Sequence, residues 1–202
     1  MIGRDGVEDI YSIVSAPHER SLELFLKLEP PPEAILPTKL WSAREGDTLT
    51  IRQTARGNFT FDPALPRKLL VATGTGVSPF VSYIRDYLHN GHDGHHFHVL
   101  HGVSYHDEFG YDAELERLGR ERPDLVTYVP TVSRPHEERN EGWRGQTGRV
   151  SEIVERHIDR FALTPGDTAV HACGNGGMIG DLMTRIGPRG FTAQLDRPQK
   201  QG

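Results

Sequence analysis

The sequence predicts an α/β fold, in which an open parallel sheet with helices on both faces spans residues 64–202 and a small antiparallel β domain spans residues 1–63. Two observations favour this division. From Pro63 onward, apolar runs alternate with stretches whose apolar residues recur every three to four positions, and repeated β–α units of this kind form parallel sheets. Before that point, short segments with alternating apolar residues are separated by prolines and glycines, which is typical of antiparallel strands.

The N-terminal domain is predicted to consist of short strands. Four leucines alternate with other residues over positions 22–28, and a triple proline at 30–32 follows them; proline ends a strand because it cannot donate a backbone hydrogen bond. Residues 36–41 lead to a turn at Gly46, after which residues 48–52 and 58–62 are predicted as further strands. We therefore expect antiparallel β structure throughout this part of the chain.

The C-terminal domain is predicted to contain four main strands, at residues 68–72, 96–101, 125–132 and 168–173. Three of the helices between and after them are indicated by apolar residues on one face of a period of about 3.6 residues. These faces consist of Val77, Phe80, Val81, Ile84 and Leu88, of Val150, Ile153, Val154, His157, Ile158 and Phe161, and of Met178, Ile179, Leu182, Met183 and Ile186. A polar helix is predicted around residues 112–119, and residues 135–148 are predicted as a long loop.

The composition excludes several classes of function. Lys and Arg number 23 and Asp and Glu number 28, so the formal net charge is −5, which disfavours a nucleic-acid partner. No apolar run approaches the roughly 18 residues of a membrane span, and the charged N-terminus lacks the apolar core of a signal peptide. The single cysteine, Cys173, allows no internal disulfide. We expect a cytoplasmic protein with no membrane insertion.

The strongest local motif is the segment Ala-Thr-Gly-Thr-Gly-Val-Ser-Pro-Phe at residues 72–80. A buried strand ends there, Gly74 and Gly76 allow a tight turn around Thr75, and a helix begins near the proline. Backbone N–H groups and the positive end of the helix dipole then face the turn, which favours a bound pyrophosphate. The alternative is a tight strand-to-helix turn with no ligand.

A second motif, Thr-Val-Ser-Arg, ends the predicted strand at residues 125–132. Ligands of open parallel sheets bind beyond the carboxyl ends of the strands. Ser133 and Arg134 therefore suit a phosphate, since arginine offers a fixed fork of donors, and Arg149 can act as a second clamp. A phosphate-binding pair indicates NADP(H), whereas an acidic residue would indicate NAD(H). The alternative is an ordinary solvated surface.

Two further segments contain candidate residues. Cys173 and Gly174 follow the last predicted strand, near where a nicotinamide would lie if the first turn holds the pyrophosphate; the alternative is that Cys173 is a small apolar core residue. Tyr11 and Ser12 offer a flat ring beside a hydroxyl, which suits a flavin. Spacing alone is equally consistent with an ordinary strand and turn.

Taken together, these motifs resemble the ferredoxin–NADP reductase family, closest to its bacterial type. The resemblance runs in order along nearly the whole chain. It is carried by Tyr-Ser-Ile-x-Ser-x-Pro at 11–17, Gly-Asp at 46–47, Gly-x-Phe-Thr-x-Asp at 57–62, Ala-Thr-Gly-Thr-Gly-x-x-Pro-Phe at 72–80, Leu-His-Gly-Val at 100–103, Thr-Val-Ser-Arg at 131–134, Gly-Arg at 148–149 and Cys-Gly-Asn-x-x-Met at 173–178.

The resemblance implies a Rossmann-like NADP-binding domain preceded by a partial antiparallel β-barrel that binds FAD. In that family, residues matching Tyr11 and Ser12 meet the flavin ring, and those matching Phe25, Leu36, Pro37 and Thr38 lie along FAD. By the same resemblance, Thr75 is expected to lie between FAD and the nicotinamide nucleotide, and Ser133, Arg134 and Arg149 are expected to hold the 2′-phosphate. Ser12 and Cys173 are the candidate catalytic residues, and Gly74, Gly76 and Gly174 are further cofactor-binding candidates.

The implied activity is FAD-dependent transfer of electrons between NADPH and ferredoxin or flavodoxin. Two alternatives stay open. One is an NADH-dependent reductase component of an oxygenase, which Ser133 and Arg134 disfavour. The other is a truncated, non-catalytic NADP(H)-binding module. This module is favoured because only ten residues precede Tyr11, so barrel strands are lacking, and because Asp9 stands where the family usually has an arginine.

Six histidines between residues 89 and 101 raise the question of a metal site. They are His89, His92, His95, His96, His98 and His101. Cysteines and a regular ligand spacing do not accompany them, and His98 and His101 fall within a predicted strand. We expect a surface turn rich in glycine and histidine, and no metal.

Overall fold

The computed structural model describes residues 1–28, 35–52, 59 and 63–195. The N-terminal part contains β1 (Ile2–Arg4), β2 (Val7–Asp9), α1 (Ile35–Trp41) and β3 (Thr50–Ile51). The rest contains β4 (Arg67–Thr73), α2 (Ser78–His89), β5 (His96–Val103), α3 (Asp112–Glu121), β6 (Val126–Val132), β7 (Gln146–Thr147), α4 (Val150–Arg160), β8 (Thr168–Cys173), α5 (Gly176–Ile186) and β9 (Ala193–Leu195).

The larger sheet has the strand order β7-β6-β5-β4-β8-β9, and every neighbouring pair in it is parallel. The chain starts at the centre with β4, adds β5 and β6 on one side, and then returns to place β8 on the other side. Strand order therefore reverses between β4 and β8. In such doubly wound sheets the connections leave a crevice at this point, beyond the carboxyl ends of the strands.

Two apolar cores cover the two faces of this sheet. In β4, Leu70 and Ala72 belong to one core and Leu69 and Val71 to the other, because successive side chains of a strand point to opposite faces. Helices α2 and α3 contribute buried residues to the first core, and α4 and α5 to the second. The prediction of a parallel sheet with helices on both faces is confirmed.

The predicted strands and helices of the C-terminal domain are all present, with boundaries within a few residues. Strand β8 has the predicted bounds, and β5 extends two residues beyond the predicted end. The sequence did not indicate β7 within the expected long loop, nor β9 near the C-terminus. These strands have two and three residues, which is too short for a recognisable periodicity.

The N-terminal part differs more from the sequence-based expectation. The predicted strand at residues 22–28 is wrong: only Leu24 forms a bridge, with Ile13, and both Leu22 and Leu28 are 45% exposed. Alternating leucines specify a strand only where a neighbouring strand pairs with them, and here the pairing stops after one bridge. Residues 36–41 belong to a helix rather than to extended structure. The predicted strand at 48–52 is reduced to β3, and most of 58–62 lies outside the described residues.

A small antiparallel sheet with the order β2-β1-β3 forms the core of this N-terminal part. Helix α1 packs against β1 and β2, and its Leu36 is buried. The arrangement corresponds to the expected partial barrel. Among the described residues, the longest helix has 12 residues, and none combines the length and hydropathy that crossing a bilayer requires.

Candidate functional site

The loops that follow β4 and β8 touch each other at the crevice where strand order reverses. The hydroxyl of Thr73 accepts a hydrogen bond of 2.8 Å from the backbone N–H of Asn175. A Cβ at Gly76 would lie 2.2 Å from the carbonyl oxygen of Cys173, and a Cβ at Gly174 would lie 2.1 Å from the Thr73 hydroxyl. Glycine is therefore required at both positions for the two backbones to meet.

The first loop leads directly into α2. Gly74 adopts φ +52°, a left-handed conformation that glycine tolerates well, and residues 74–77 form a single 3-10 turn. The Ser78 hydroxyl donates to the Thr75 carbonyl oxygen at 2.6 Å, and Pro79 lies in the first turn of α2. The positive end of the α2 dipole consequently points toward this turn.

The second loop gives the crevice a second helix N-terminus. Asn175 precedes α5, and its side-chain oxygen accepts hydrogen bonds from the backbone N–H groups of Gly177 and Met178, at 2.8 and 3.4 Å. An N-cap of this kind fixes where the helix starts. The N-termini of α2 and α5 therefore both face the crevice, and their dipoles favour an anion there.

His101 of β5 supports the turn after β4 through a hydrogen bond to Gly74. Burial lowers the pKa of its fully buried imidazole to about 4, so the ring is neutral at pH 7. Its Nε2 lies 2.9 Å from the carbonyl oxygen of Gly74 and its Nδ1 lies 3.2 Å from the hydroxyl of Tyr128. A carbonyl oxygen can only accept a hydrogen bond, so the ring proton is on Nε2, and Nδ1 accepts from the Tyr128 hydroxyl. Burial raises the pKa of Tyr128. The sequence placed His101 in a predicted strand, in the histidine-rich segment and in the Leu-His-Gly-Val motif, but it did not indicate that His101 supports this turn.

Cys173 is 4% exposed and belongs to the apolar core beside α2. This burial favours the alternative that Cys173 is a small core residue. A catalytic role for Cys173 stays a prediction. The backbone of Cys173 nevertheless shapes the crevice, because its carbonyl oxygen is what a side chain at Gly76 would strike.

Ser133 and Arg134 lie at the same edge of the sheet as the crevice. The backbone N–H of Ser133 donates to Val103 of β5 at 2.9 Å, and that of Gly148 donates to Val132 of β6 at 2.9 Å. Ser133 and Arg149 therefore directly follow Val132 and Gly148, the two residues that the second of these hydrogen bonds joins. Since β4 and β6 are two strand spacings apart, about 10 Å separates the Thr75 and Arg134 positions laterally. This span suits the adenosine half of a dinucleotide.

The Arg134 guanidinium is engaged by two side chains. Its Nη1 donates to the hydroxyl oxygen of Tyr105 at 2.8 Å and lies 3.5 Å from a carboxylate oxygen of Glu137. The Tyr105 hydroxyl in turn donates to the other oxygen of Glu137. A second guanidinium, that of Arg139, lies 4.1 Å from the centre of the Tyr105 ring.

Asn140 fixes the loop that carries Arg134. Its buried side-chain amide donates to the carbonyl oxygens of Ser104 and Arg134, at 2.9 and 2.8 Å, and accepts from the backbone N–H of His106 at 2.8 Å. The amide therefore ties the loop after β6 to the loop after β5. Sequence reasoning missed Asn140, because one asparagine in a polar loop carries no signal of burial.

Tyr11 presents a polar atom that suits a ligand. Its hydroxyl is buried and has no hydrogen-bond partner within the described part of the chain, and burial, followed by the nearby Asp9, raises its pKa. The segment is fastened to the larger domain, because Val14 is fully buried in the core and the Ser82 hydroxyl donates to the Ser15 carbonyl at 3.0 Å. A buried phenol O–H that lacks an acceptor fits the edge of a flavin ring.

The other predicted FAD contacts are placed differently. The Phe25 ring packs edge-on against Tyr111 at 5.6 Å and would lie 2.4 Å from a Cβ at Gly110. Leu36 is buried on α1, while Pro37 is half-buried and Thr38 is exposed. Phe25 and Leu36 thus take part in packing, and their contacts with FAD stay predictions, as does the role of Ser12.

The histidine-rich segment contributes to packing. His98 of β5 and His157 of α4 are both buried, with Nδ1 and Nε2 3.1 Å apart, and His96 stacks on His98 at 4.3 Å. Burial, with smaller effects from neighbouring cationic groups, lowers the pKa of His98 to about 3 and that of His157 to about 4. Nowhere in residues 1–28, 35–52, 59 and 63–195 do three His, Cys, Asp or Glu side chains converge as metal ligands would.

Comparison with known proteins places these features among oxidoreductases. The oxidoreductase NAD-binding domain family matches residues 70–183. A ferredoxin–NADP reductase of Pseudomonas aeruginosa is 31% identical over 180 residues, which cover 84% of this chain and 67% of the relative. A flavodoxin/ferredoxin–NADP reductase of Buchnera aphidicola is 29% identical, with 86% of this chain and 69% of the relative covered. A component of the Na⁺-translocating NADH-quinone reductase of Klebsiella pneumoniae is 28% identical, with 81% and 41% covered.

A solved structure shows the same fold. The ferredoxin NADP⁺ reductase from Neisseria gonorrhoeae, described with bound FAD and NADP, superposes with a TM-score of 0.74 at 22% identity. The superposition covers 93% of this chain and 79% of that one. The chain therefore spans about two thirds of the length of the Pseudomonas and Buchnera reductases and 41% of the quinone reductase component.

Proposed function

Because the chain belongs to the ferredoxin–NADP reductase family and contains its NAD-binding domain, we propose that it is an FAD-dependent reductase that passes electrons between NADPH and a one-electron carrier. The carrier is ferredoxin or flavodoxin, as in the names of the curated relatives. The single cysteine fits a reducing compartment such as the cytoplasm.

One observation carries this proposal. Two helix N-termini, those of α2 and α5, face one crevice, and Ser133, Arg134 and Arg149 lie along the same sheet edge. A pyrophosphate in the crevice would face the backbone of Thr75, and the 2′-phosphate of NADP(H) would reach the two arginines. A nucleotide without that phosphate, such as NADH, would leave the arginines without a ligand.

Residues of the N-terminal part would hold FAD. FAD, when bound, accepts the two electrons of a hydride together and releases them one at a time. The Tyr11 hydroxyl, buried without an acceptor among the described residues, would donate to the flavin, and Ser12 would lie beside the ring. Thr75 would separate the flavin from the nicotinamide, and the backbone of Cys173 and Gly174 would close the crevice behind it.

A non-catalytic NADP(H)-binding module is the second candidate function. Asp9 favours it, because the exposed carboxylate beside Tyr11 would repel the FAD pyrophosphate. The NADH-quinone reductase of Klebsiella pneumoniae and the NADH-cytochrome b5 reductase of Lodderomyces elongisporus are named for NADH. The cation at Arg134 disfavours an NADH-dependent reductase for this chain.

Titration of the purified chain with FAD, followed by reduction with NADPH or NADH, tests the proposal. We expect flavin absorbance to co-purify with the protein and NADPH to reduce it at lower concentration than NADH. The variant Arg134→Ala should raise the KM for NADPH about ten- to hundredfold, as loss of a charge-assisted phosphate contact predicts, and leave the KM for NADH nearly unchanged.

Arg120→Ala is the matched control, because it removes the same charge from an exposed position near the end of α3, at the opposite edge of the sheet. Equal use of NADPH and NADH by the parent protein would overturn the NADP(H) assignment. Binding of NADP(H) without any binding of FAD would leave the non-catalytic module as the function.

A further inference from the structure

We propose that Glu137 competes with the nucleotide 2′-phosphate for Arg134 and so sets how strongly the protein prefers NADP(H) over NAD(H). The inference rests on the nucleotide site proposed above. It assigns to this acidic side chain, which neither the sequence motifs nor the family resemblance singled out, a role in specificity.

Three side chains form a closed ring at the site. Arg134 donates to the Tyr105 hydroxyl oxygen at 2.8 Å, the Tyr105 hydroxyl donates to one oxygen of Glu137, and the other oxygen of Glu137 lies 3.5 Å from the same Arg134 nitrogen. Both charged side chains are about half exposed, at 53% and 51%. The pair is therefore accessible to an incoming ligand.

The backbone keeps Glu137 beside Arg134. The N–H of Glu137 donates to the Arg134 carbonyl at 3.2 Å, and the N–H of Asn140 donates to the Glu137 carbonyl at 2.8 Å. The buried Asn140 amide donates to the Arg134 carbonyl as well. Because these hydrogen bonds fix the backbone of the turn, the Glu137 carboxylate is held within reach of the Arg134 guanidinium.

The neighbouring cation, Arg139, is not paired in this way with an acidic residue of its own loop, all of which the structure describes. Arg139 makes two hydrogen bonds to Asp107, at 3.1 and 2.7 Å, so an acidic partner in the preceding loop balances its charge. Arg134 is instead paired within its own loop, by a residue three positions later. Arg134, the cation expected to bind the phosphate, is therefore already paired with an anion of the protein itself, Glu137.

The relative strengths of the two contacts decide which anion Arg134 holds. An exposed ion pair is weak, whereas a phosphate group carries up to two charges and three acceptor oxygens. The 2′-phosphate therefore displaces Glu137, but its net binding free energy is reduced because the contact between Arg134 and Glu137 must be broken. A ligand without the phosphate leaves the ring intact, so Glu137 weakens the binding of NADP(H) and not that of NAD(H).

Calorimetric titration with 2′-phospho-AMP and with AMP tests this competition without requiring turnover. We expect Glu137→Gln to bind 2′-phospho-AMP about two- to fivefold more tightly than the parent protein and to bind AMP with unchanged affinity. The control is Glu138→Gln, which alters the net charge equally at the next residue; within the described residues no ion pair joins Glu138 to Arg134. Its affinity for 2′-phospho-AMP should stay close to that of the parent.

The possible outcomes separate the inference from the function on which it rests. Unchanged affinity of Glu137→Gln for 2′-phospho-AMP, or equal tightening in both variants, overturns the role of Glu137 while the nucleotide site stands. A parent protein that does not distinguish 2′-phospho-AMP from AMP overturns the NADP(H) assignment itself. Thermal unfolding of each variant checks that the protein as a whole has kept its fold.

Discussion

At the scale of single residues, the crevice depends on the close approach of two backbones at Gly76. The carbonyl of Cys173 lies where any β-carbon at position 76 would have to be, at 2.2 Å. Contacts this short force the backbone itself to move, because no flexible side chain can swing aside. The separation of the β4 and β8 loops is therefore set by the absence of a side chain at this residue.

Gly76→Ala should consequently lower the free energy of unfolding by about 2 kcal/mol, within the range for overpacked sites, and weaken NADP⁺ binding by opening the crevice. Gly180→Ala is the control: it lies within α5, and a methyl group there meets nothing within 4 Å. Alanine stabilises a helix relative to glycine by up to about 1 kcal/mol. Urea unfolding measures both changes, and equal stabilities of the two variants would contradict the close contact.

From the sequence, only residues whose type suggests a role could be proposed as members of the site, and their roles in binding stay predictions. Gly74, Gly76, Ser133 and Arg134 follow strand ends, and parallel strands bring their carboxyl ends to one edge. Glu137 and Asn140 were not predicted, because their importance arises from a loop conformation that no periodicity encodes. Residue type alone also left the fate of Cys173 open, and its burial was visible only once β8 had neighbours on both sides.

At the scale of elements, two buried imidazoles join β5 to α4. His98 and His157 have pKa values lowered to about 3 and about 4, whereas histidines of an unfolded chain titrate at about pH 6.5. Burial is the largest cause for both, and His96, Arg67 and Arg160 add electrostatic repulsion of a proton. Both rings are therefore neutral in the folded protein at pH 7.

The sign of the resulting pH dependence follows from linkage. Below about pH 6.5 these histidines bind protons in the unfolded chain but not in the folded one. The stability that the neutral rings contribute is therefore complete above about pH 6.5 and is lost as the pH falls toward 4. The pKa of the buried His101 is likewise lowered to about 4, so we expect these three imidazoles together to lower the free energy of unfolding by about 4 to 6 kcal/mol between pH 7 and pH 5, since each contributes up to about 2 kcal/mol. His157→Gln should reduce that drop by roughly a third. Urea unfolding at several pH values measures it, and parallel pH profiles for the two proteins would contradict the account.

Helices and strands whose apolar residues recur with a clear period were predictable from the sequence. Elements whose conformation depends on pairing with another strand were not. The apolar face of α2 and the apolar run of β4 specify their conformations locally, because burial requires that spacing. The leucines at residues 22–28 have an equally regular pattern, yet they form one bridge. Helix α1 likewise lies where extended structure was expected, which shows that the partial barrel depends on neighbours more than on local sequence.

At the scale of the whole molecule, the sheet has two ends with different surroundings. The carboxyl ends of the strands bear the crevice and the Arg134 loop. A cavity of about 390 Å³ lies at the amino ends, where Arg67, His96, Arg122 and Asp124 contribute to its lining. Its cations are accompanied by carboxylates, since Arg122 pairs with Asp124 and Arg67 with Asp167. We therefore expect the nucleotide at the carboxyl ends of the strands, where strand order reverses, although the amino end is also concave.

Amide chemical shifts of the isotope-labelled protein during titration with NADP⁺ test this central claim most directly. The account predicts that the amides that shift are those of residues 74–77, 133–134, 148–149 and 174–176, all at the carboxyl end of the sheet. Shifts concentrated around Arg67, His96 and Arg122 at the amino end would contradict it.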